Sequence, residues 1–218
     1  QGENDISAIK GQEYAKRALC IAGAGGHHVL FVGVPGGGIT MLAQALVGIL
    51  PPLSADEVIE VTQIYSAAGL LPNASYIAHR PFRSPHHSAS GPAVVGGGPY
   101  PRPGEISLAH RGVLFLDELP EFHRDILESL RQPLEAGMMA IARSKSNCVF
   151  PARFSLVAAM NPCPCGYYGD DRKECVCGAH EVIRYQKKVS GPILDRIDMQ
   201  ITVPRVDLHE LKERGNAG

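Results

Sequence analysis

Hydrophobic residues in the first third of the chain follow two patterns, a helical periodicity and short continuous runs. The periodic segments predict helices at residues 12–24 and 41–49, and Pro51 and Pro52 end the second. A continuous apolar run predicts a buried strand at residues 29–32, and residues 58–61 are predicted to form a second strand. The glycine-rich stretch that joins the first strand to the second helix therefore has a strand before it and a helix after it. A phosphate-binding loop requires that context.

Residues 69–103 interrupt this regularity, because they are rich in Pro, Gly, His and Ser. Connections of such length are usually functional insertions or mobile loops. The hydrophobic pattern then resumes and predicts a strand at 113–116, a helix at 122–135, a hairpin from 138–143 and 148–150, a strand at 154–160, and core segments at 193–197 and 201–203. Strands that alternate with helices predict an α/β fold with a parallel, doubly wound sheet.

Composition narrows the possible functions without identifying one. The 218 residues are 44% hydrophobic and 20% charged, which suits a globular domain with a substantial core. The net charge of -1 gives no overall attraction to nucleic acid or membrane, so any nucleic-acid contact needs a local patch. No apolar run approaches the roughly 20 residues of a membrane span, and no signal peptide is expected.

The glycine-rich loop is the first candidate for chemistry. Residues 33–40, GVPGGGIT, match the phosphate-loop pattern G-x-x-x-x-G-K-[ST] except at Ile39, where the pattern has lysine. Its glycines allow main-chain N–H groups to point at phosphate oxygens, and the helix N-terminus favours an anion. Thr40 offers a hydroxyl for Mg²⁺, whereas Ile39 offers neither a hydrogen bond nor a charge. The pattern therefore predicts a nucleotide site with strongly impaired hydrolysis and reduced affinity.

Two strand ends supply polar side chains that complement such a loop. Asp117 and Glu118 follow a buried strand, where one acid can hold Mg²⁺ and the next can orient an attacking water. Asn161 follows another strand and can position water near a γ-phosphate. The alternative readings are a solvated acidic turn for the two acids and an ordinary Asn-Pro turn for Asn161.

Four of the six cysteines crowd into a segment of 15 residues as two C-x-C pairs, which are Cys163, Cys165, Cys175 and Cys177. Four thiolates can close a tetrahedral zinc site, and this clustering favours a reducing, cytoplasmic environment over a disulfide framework. Reduced thiols at the edge of a loop remain the alternative. The other two, Cys20 and Cys148, are expected to be small core residues.

Basic and histidine residues also concentrate in the long insertion. His79, Arg80, Arg83, His86 and His87 form a cationic or metal-capable cluster, which is interpreted either as a solvated loop or as a DNA contact. At the tip of the predicted hairpin, Arg143 and Lys145 are further candidates for DNA.

Several long motifs together carry a family resemblance: GVLFLDELPEF, FPARFSLVAAMNPCPCG, SGPILDRID, RPFRSPHH and RPGEISLAHRG. With them the chain resembles the magnesium-chelatase-like AAA+ ATPases, in particular the competence-protein (ComM-type) branch, from Ile6 to Val206. The resemblance implies a three-layer P-loop NTPase core at 1–206 with an insertion in its second helix at 69–103. It further implies a β-hairpin at 138–150 before the strand that ends at Asn161, and a cysteine loop at 163–177 after that strand.

The same resemblance assigns roles to individual residues. It makes the loop a Walker A motif that binds ATP through Gly33, Val34, Pro35, Gly36, Gly37, Gly38, Ile39, Thr40 and Met41. It makes Asp117 and Glu118 the Walker B acids, Asn161 sensor 1, and Arg196 an arginine finger that reaches the γ-phosphate of a neighbouring subunit. The resemblance thereby implies ATP, Mg²⁺ and a homo-oligomeric ring, a hexamer in the family, and single-stranded DNA is an expected partner.

Three departures from the family pattern modify this expectation. Family loops usually read GPPGSGKT, and Val34, Gly37 and Ile39 all differ here. Only 22 residues follow Arg196 (218 − 196), too few for the helical lid, so that 207–218 is expected to be a truncated tail. The amino-terminal domain of the branch is also expected to be absent.

Three functions remain open at this point. The first is an ATP-driven ring motor that acts on DNA. The second is the motor subunit of a chelatase that inserts Mg²⁺ into a porphyrin. The third is an assembly module that binds nucleotide weakly.

Overall fold

A parallel sheet of five strands forms the centre of the molecule in the computed structural model. The structure describes residues 6, 12–34, 38–71, 76–143, 146–189 and 191–204, with only the backbone at 142, 143 and 146. The sheet strands are β1 (Val29–Gly33), β2 (Phe82–Arg83), β5 (Val113–Leu116), β8 (Ser155–Met160) and β9 (Met199–Val203), in the spatial order β2-β5-β8-β1-β9. All four neighbouring pairs are parallel, which confirms the predicted α/β class.

Helices and short elements complete the fold. The helices are α1 (Glu13–Gly25), α2 (Ile39–Ile49), α3 (Ala55–Ala68), α4 (Gly91–Val95), α5 (Glu105–Leu108), α6 (Arg124–Ser129), α7 (Arg131–Ala136), α8 (Ala179–Gln186) and α9 (Gly191–Leu194). Two antiparallel pairs stand apart from the main sheet, β3 (Gly96–Gly97) with β4 (Arg102–Pro103), and β6 (Met138–Arg143) with β7 (Ser146–Pro151). The second pair confirms the predicted hairpin. Within the described ranges, no helix is long and apolar enough to cross a bilayer.

Two hydrophobic cores cover the two faces of the sheet, because successive strand residues point in opposite directions. Phe31 and Phe115 lie in the core formed with α1 and α2, where Leu19 and Leu46 pack. Leu30, Leu114 and Leu116 lie in the other core, with residues of α5 to α7. The central strands are buried on both faces, as their continuous apolar sequences predicted. The result is three layers, with both sets of helices flanking the sheet.

The predicted strand at 58–61 is wrong, because these residues lie inside α3. Ser54 begins this helix with a capping box: its hydroxyl accepts from the N–H of Glu57, and the Glu57 carboxylate accepts from the N–H of Ser54. Val61 and Ile64 then form its buried face. Reciprocal capping favours a helix over a strand at this point.

Two other predictions need correction. Cys20 is exposed and Cys148 is partly exposed, so neither is a core residue. The predicted helix at 122–135 is divided into α6 and α7, preceded by a 3₁₀ turn at Leu119–Glu121. Within the segment 69–103, β2 pairs with β5 and forms the edge of the main sheet.

A charged cluster fixes α3 to the start of β5. Glu60 accepts hydrogen bonds from Nε of Arg111 and from Nε2 of His110, both at 2.8 Å. The imidazole of His110 is buried and its Nδ1 accepts the N–H of Arg153. The Arg111 bonds, and then the His110 bond, lower the pKa of Glu60 from 4.5 to about 2. The carboxylate therefore stabilises the folded state in its ionised form.

Replacing Glu60 with glutamine is expected to lower the free energy of unfolding at neutral pH by about 1–2 kcal/mol, a value reduced for partial solvent exposure. A pKa lowered by folding gives stability that is complete above pH 4.5 and is lost as pH falls through about 2. The difference in free energy of unfolding between the native chain and Glu60→Gln should therefore become smaller as the pH falls from 4.5 to about 2. Urea unfolding at several pH values measures this difference. Glu13→Gln, which removes a surface pair with Lys16, is the control and should change stability by less than about 0.5 kcal/mol.

Candidate nucleotide site

The glycine loop runs from the end of β1 to the start of α2. A Cβ on Gly33 would lie 2.4 Å from the carbonyl oxygen of Val203 in β9, so only glycine fits there. Gly38 has a left-handed backbone (φ 70°), and a Cβ there would meet no atom within 4 Å. Pro35, Gly36 and Gly37 lie outside the described residues. The loop thus begins and ends at two glycines, Gly33 and Gly38. A residue with a Cβ would clash at the first position and be strained at the second.

The first turn of α2 presents N–H groups without a side-chain cap. An α-helix leaves its first N–H groups without partners inside the helix, and its dipole adds a partial positive charge there. Thr40 stands in this turn and is exposed to solvent. The turn can therefore accept an anion through its main chain.

Asp117 and Glu118 follow β5, and Asn161 follows β8. Since β8 lies between β1 and β5, the three strand ends adjoin at the carboxyl edge of the sheet. Oδ1 of Asp117 accepts the N–H of Glu118 at 2.8 Å. Glu118 itself has a left-handed backbone (φ 52°), unusual for a non-glycine residue. This sharp turn brings both acids to the same side as the loop.

A cleft of about 210 Å³ lies between these groups. It is lined by Gly33, Val34, Gly38, Ile39, Thr40, Asp117, Glu118, Ala159, Met160 and Asn161. The structure therefore brings together eight of the residues that the sequence singled out. Met41 is not among them, because it is exposed on α2.

The electrostatics of this cleft are one-sided. Two carboxylates line it, and none of its described lining residues is cationic. Ile39 is also one of the partly buried residues packed against the core of α1 and α2. The main-chain donors, the hydroxyl of Thr40 and the two acids fit a magnesium–phosphate group. The charge that the lysine of the phosphate-loop pattern would add is missing from this set.

A second cleft of about 310 Å³ adjoins the first, since Gly33 and Val34 line both. Its other walls are the ends of β1 and β9 and the segment Tyr168–Arg172. That segment lies within the cysteine loop. The conformation of the cysteine loop therefore shapes the space beside the glycine loop.

The four clustered cysteines converge after β8, with all four sulfur atoms within 4.8 Å of one another. Sγ of Cys163 lies 3.4 Å from Sγ of Cys165 and 3.7 Å from Sγ of Cys175, and the last two are 3.6 Å apart. A tetrahedral zinc with Zn–S bonds of about 2.3 Å requires S···S distances of about 3.8 Å. The cysteines are not disulfide-bonded. The four sulfur atoms are therefore close enough together to ligate one metal ion.

Main-chain N–H groups also point at these sulfurs. Tyr168 donates to Sγ of Cys163 and Cys165 donates to Sγ of Cys177. The N–H of Tyr167 lowers the pKa of Cys165 to about 6, a shift that favours the thiolate, the form that binds metal. Burial and the neighbouring sulfur atoms outweigh the N–H donors at Cys175 and Cys177 and raise the pKa of both thiols.

Sequence comparison decides the family. The family profile described as magnesium chelatase, subunit ChlI, matches residues 5–211. The chain belongs to the magnesium chelatase family. Its fold is therefore the AAA+ core of that family, as the resemblance implied.

Individual relatives place the chain within the family. It is 51% identical over 214 residues to competence protein ComM of Haemophilus influenzae, covering 98% of this chain and 42% of the relative. It is 50% identical over 202 residues to protein YifB of Escherichia coli, with 93% and 40% covered. Identity to the magnesium-chelatase 38 kDa subunit of Cereibacter sphaeroides is 27% over 176 residues, with 72% and 52% covered. The chain spans about two fifths of the length of the first two relatives.

The family's expected arginine finger does not lie in the cleft of its own chain. Arg196 follows α9 and donates through Nη2 to Oε1 of Glu135. Its side chain is about half exposed. If Arg196 contacts a γ-phosphate, that phosphate must therefore be bound by another subunit. This role of Arg196 remains a prediction.

The histidine and arginine cluster of 79–87 is only partly a solvated loop. Arg80 donates to the carbonyl oxygens of Pro51, Pro52 and Arg111, and Arg83 forms a double ion pair with Glu105. These two arginines support the family fold and are not free for DNA. His79 and His86 are exposed.

His87 is a neighbour of the site that the sequence did not reveal. Its Nδ1 lies 2.9 Å from Oε2 of Glu118, and its ring packs edge-on against Phe122. The two residues are 31 positions apart, and only the pairing of β2 with β5 brings them together. The segment that contains β2 thus contacts Glu118 at the edge of the cleft.

Proposed function

We propose that this chain is the nucleotide-binding module of an ATP-driven AAA+ ring motor that acts on DNA, with hydrolysis impaired by Ile39. One observation carries the proposal. An uncapped helix N-terminus, two strand-end carboxylates and an asparagine line the same small cleft. These are the groups needed to bind a triphosphate and to orient a water molecule.

In this proposal each lining group has a separate task. The loop and first-turn N–H groups bind phosphate oxygens, and Thr40 with Asp117 holds Mg²⁺. The bound magnesium–ATP supplies the phosphoryl group, with the metal offsetting phosphate charge. Glu118 orients the attacking water and accepts its proton, and Asn161 fixes that water from the other side. Ile39 leaves developing negative charge uncompensated, which reduces the stabilisation of the transition state.

Assembly and the DNA substrate rest on the family. By the family resemblance the chain acts in a hexameric ring, with Arg196 supplied to the next subunit. DNA is favoured over a porphyrin because the chain is 51% identical to a competence protein and 27% identical to a chelatase subunit. The chelatase motor remains the alternative. Single-stranded DNA is the substrate form that we propose.

We also propose that the four clustered cysteines bind one zinc ion, in the reducing cytoplasm where thiols persist. Sulfur spacings of 3.4–3.7 Å and N–H donors on two of the sulfurs support a tetrahedral thiolate site. The metal would fix the loop whose residues Tyr168–Arg172 wall the second cleft. Its task is structural, because four protein ligands leave no open position for catalysis.

A weak-binding assembly module is the other candidate, and the lack of a cation among the described cleft residues favours it. Calorimetric titration of the chain with ATP and Mg²⁺ separates the two. Saturable, Mg²⁺-dependent binding is expected, weakened about tenfold or more in Asp117→Asn and Thr40→Ala because each removes a metal ligand. Ser66→Ala, at an exposed position of α3 outside the cleft, is the control and should leave binding unchanged. If neither substitution changes the affinity for ATP, the proposed nucleotide site is wrong and only the assembly role remains.

A further inference from the structure

Two histidines of the segment between β2 and α4 lie beside the second acid after β5. Nδ1 of His87 lies 2.9 Å from Oε2 of Glu118, and the ring centroid of His86 lies 4.1 Å from that of His87. The three side chains offer two imidazole nitrogens and one carboxylate oxygen, which all lie within 4.8 Å of one another. The nucleotide site proposed above uses Glu118 and gives neither histidine a task.

The backbone positions these three side chains. The N–H of Ala89 donates to the carbonyl oxygen of His86 at 2.9 Å, which closes a tight turn with His87 at one of its two central positions. Neighbouring side chains of an extended strand point to opposite faces, whereas this turn sets the two rings side by side. Glu118 has a left-handed backbone, and its N–H donates to Oδ1 of Asp117. The pairing of β2 with β5 brings the turn and this acid together.

Two imidazoles and one carboxylate are ligands that suit a divalent transition-metal ion such as Zn²⁺, Fe²⁺ or Ni²⁺. Two ligand atoms at right angles around an ion, with bonds of about 2.1 Å, lie about 3.0 Å apart, which is close to the 2.9 Å between His87 and Glu118. Ser88 contacts Nδ1 of His86 through its hydroxyl oxygen at 2.7 Å and its N–H at 3.2 Å. Nε2 of His86 is therefore the nitrogen left for a metal, and a hydroxyl that accepts the Nδ1 proton keeps the lone pair on Nε2.

A simple ion pair between protonated His87 and Glu118 is the alternative, but it would use only one of the two histidines. The side chains of His87 and Glu118 are 30% and 51% exposed, so an ion can reach both. The ring of His87 packs edge-on against Phe122, which fixes its orientation. The described lining of the nucleotide cleft holds two carboxylates and no cation, so its potential attracts a positive ion. These observations favour a metal ion over the ion pair.

We propose that His86, His87 and Glu118 bind one divalent transition-metal ion, and that this ion inhibits ATP hydrolysis because it occupies the carboxylate of Glu118. A carboxylate that ligates such an ion cannot also accept a proton from the attacking water. The inhibition rests on the role proposed above for Glu118, whereas binding of the ion requires no nucleotide. The site differs from that of the Mg²⁺ that accompanies ATP, for which Thr40 and Asp117 are the proposed ligands.

Calorimetric titration of the untagged, zinc-loaded chain with Ni²⁺, without nucleotide, tests the site. The native chain is expected to bind one equivalent. Affinity should fall about tenfold or more in His86→Ala, His87→Phe and Glu118→Gln, because each removes a ligand while phenylalanine keeps a ring beside Phe122. His79→Ala, an exposed change just before β2, is the control and should bind as the native chain does. Equal affinity of all four variants, or no binding by the native chain, would overturn the proposal and leave the ion pair.

Phosphate release from ATP and Mg²⁺ tests the inhibition, with each chain compared with its own rate before Ni²⁺ is added. One equivalent of Ni²⁺ is expected to slow release about tenfold or more in the native chain and in His79→Ala, but not in His86→Ala. Equal inhibition of His86→Ala would assign the inhibitory ion to the nucleotide and overturn the regulatory role. If the native chain binds Ni²⁺ but releases no phosphate even without it, the proposed ATPase function fails and the metal site stands.

Discussion

Replacing Ile39 with lysine is expected to raise ATP turnover by about 100-fold. In the cleft, two carboxylates face the space where a triphosphate would lie, and no described lining residue is cationic. An ammonium at position 39, in the first turn of α2, would offset charge that develops on the transferred phosphoryl group. Removal of one such electrostatic donor typically costs 10²–10³ in rate, and restoring it should recover a comparable factor.

The charge effect must be separated from packing, because Ile39 also contacts the core of α1 and α2. Ile39→Met is the matched control, since it has a long unbranched side chain without charge. Its turnover should stay near that of the native chain. Adding Glu118→Gln to the lysine variant should abolish the gain, because Glu118 is proposed to activate water.

Steady-state phosphate release, measured with and without single-stranded DNA, gives the result. Stimulation of the lysine variant by DNA would support the DNA motor over the chelatase. If lysine and methionine give the same turnover, the missing charge is not what limits hydrolysis, and the account of Ile39 is wrong.

The sequence predicted the sheet well because its central strands are buried on both faces. Continuous apolar runs such as Val113–Leu116 have few other ways to fold, and polar residues directly after them must lie at the carboxyl edge. Asp117, Glu118 and Asn161 could therefore be placed from the sequence. Residues 58–61 were misjudged although the capping signal Ser54–Glu57 was visible, because four apolar and acidic residues fit a strand or a helix equally well.

Contacts between distant segments could not be read in this way. His87 reaches Glu118 only because the two-residue strand β2 joins the edge of the sheet, and such a short pairing leaves no periodic signal. Likewise Arg80 and Arg83 looked free in the sequence but are held by carbonyl groups and by Glu105.

Substituting the clustered cysteines is expected to have the second large effect. The chain purified without chelator should carry about one zinc per molecule, and Cys165→Ser combined with Cys175→Ser should remove it. Structural zinc sites contribute on the order of 10 kcal/mol of binding free energy, so the metal-free variant should unfold at a clearly lower temperature. Metal analysis and thermal unfolding measure these two outcomes.

Nucleotide affinity should fall in the same variant, because the cysteine loop walls the cleft beside Gly33 and Val34. Cys20→Ser and Cys148→Ser are the matched controls, since both thiols lie outside the cluster. They should retain zinc, melting temperature and ATP affinity. A native chain without stoichiometric zinc would remove the metal from the proposal. Zinc loss that leaves ATP affinity unchanged would show that the metal stabilises the loop without shaping the nucleotide site, so that the two clefts act independently.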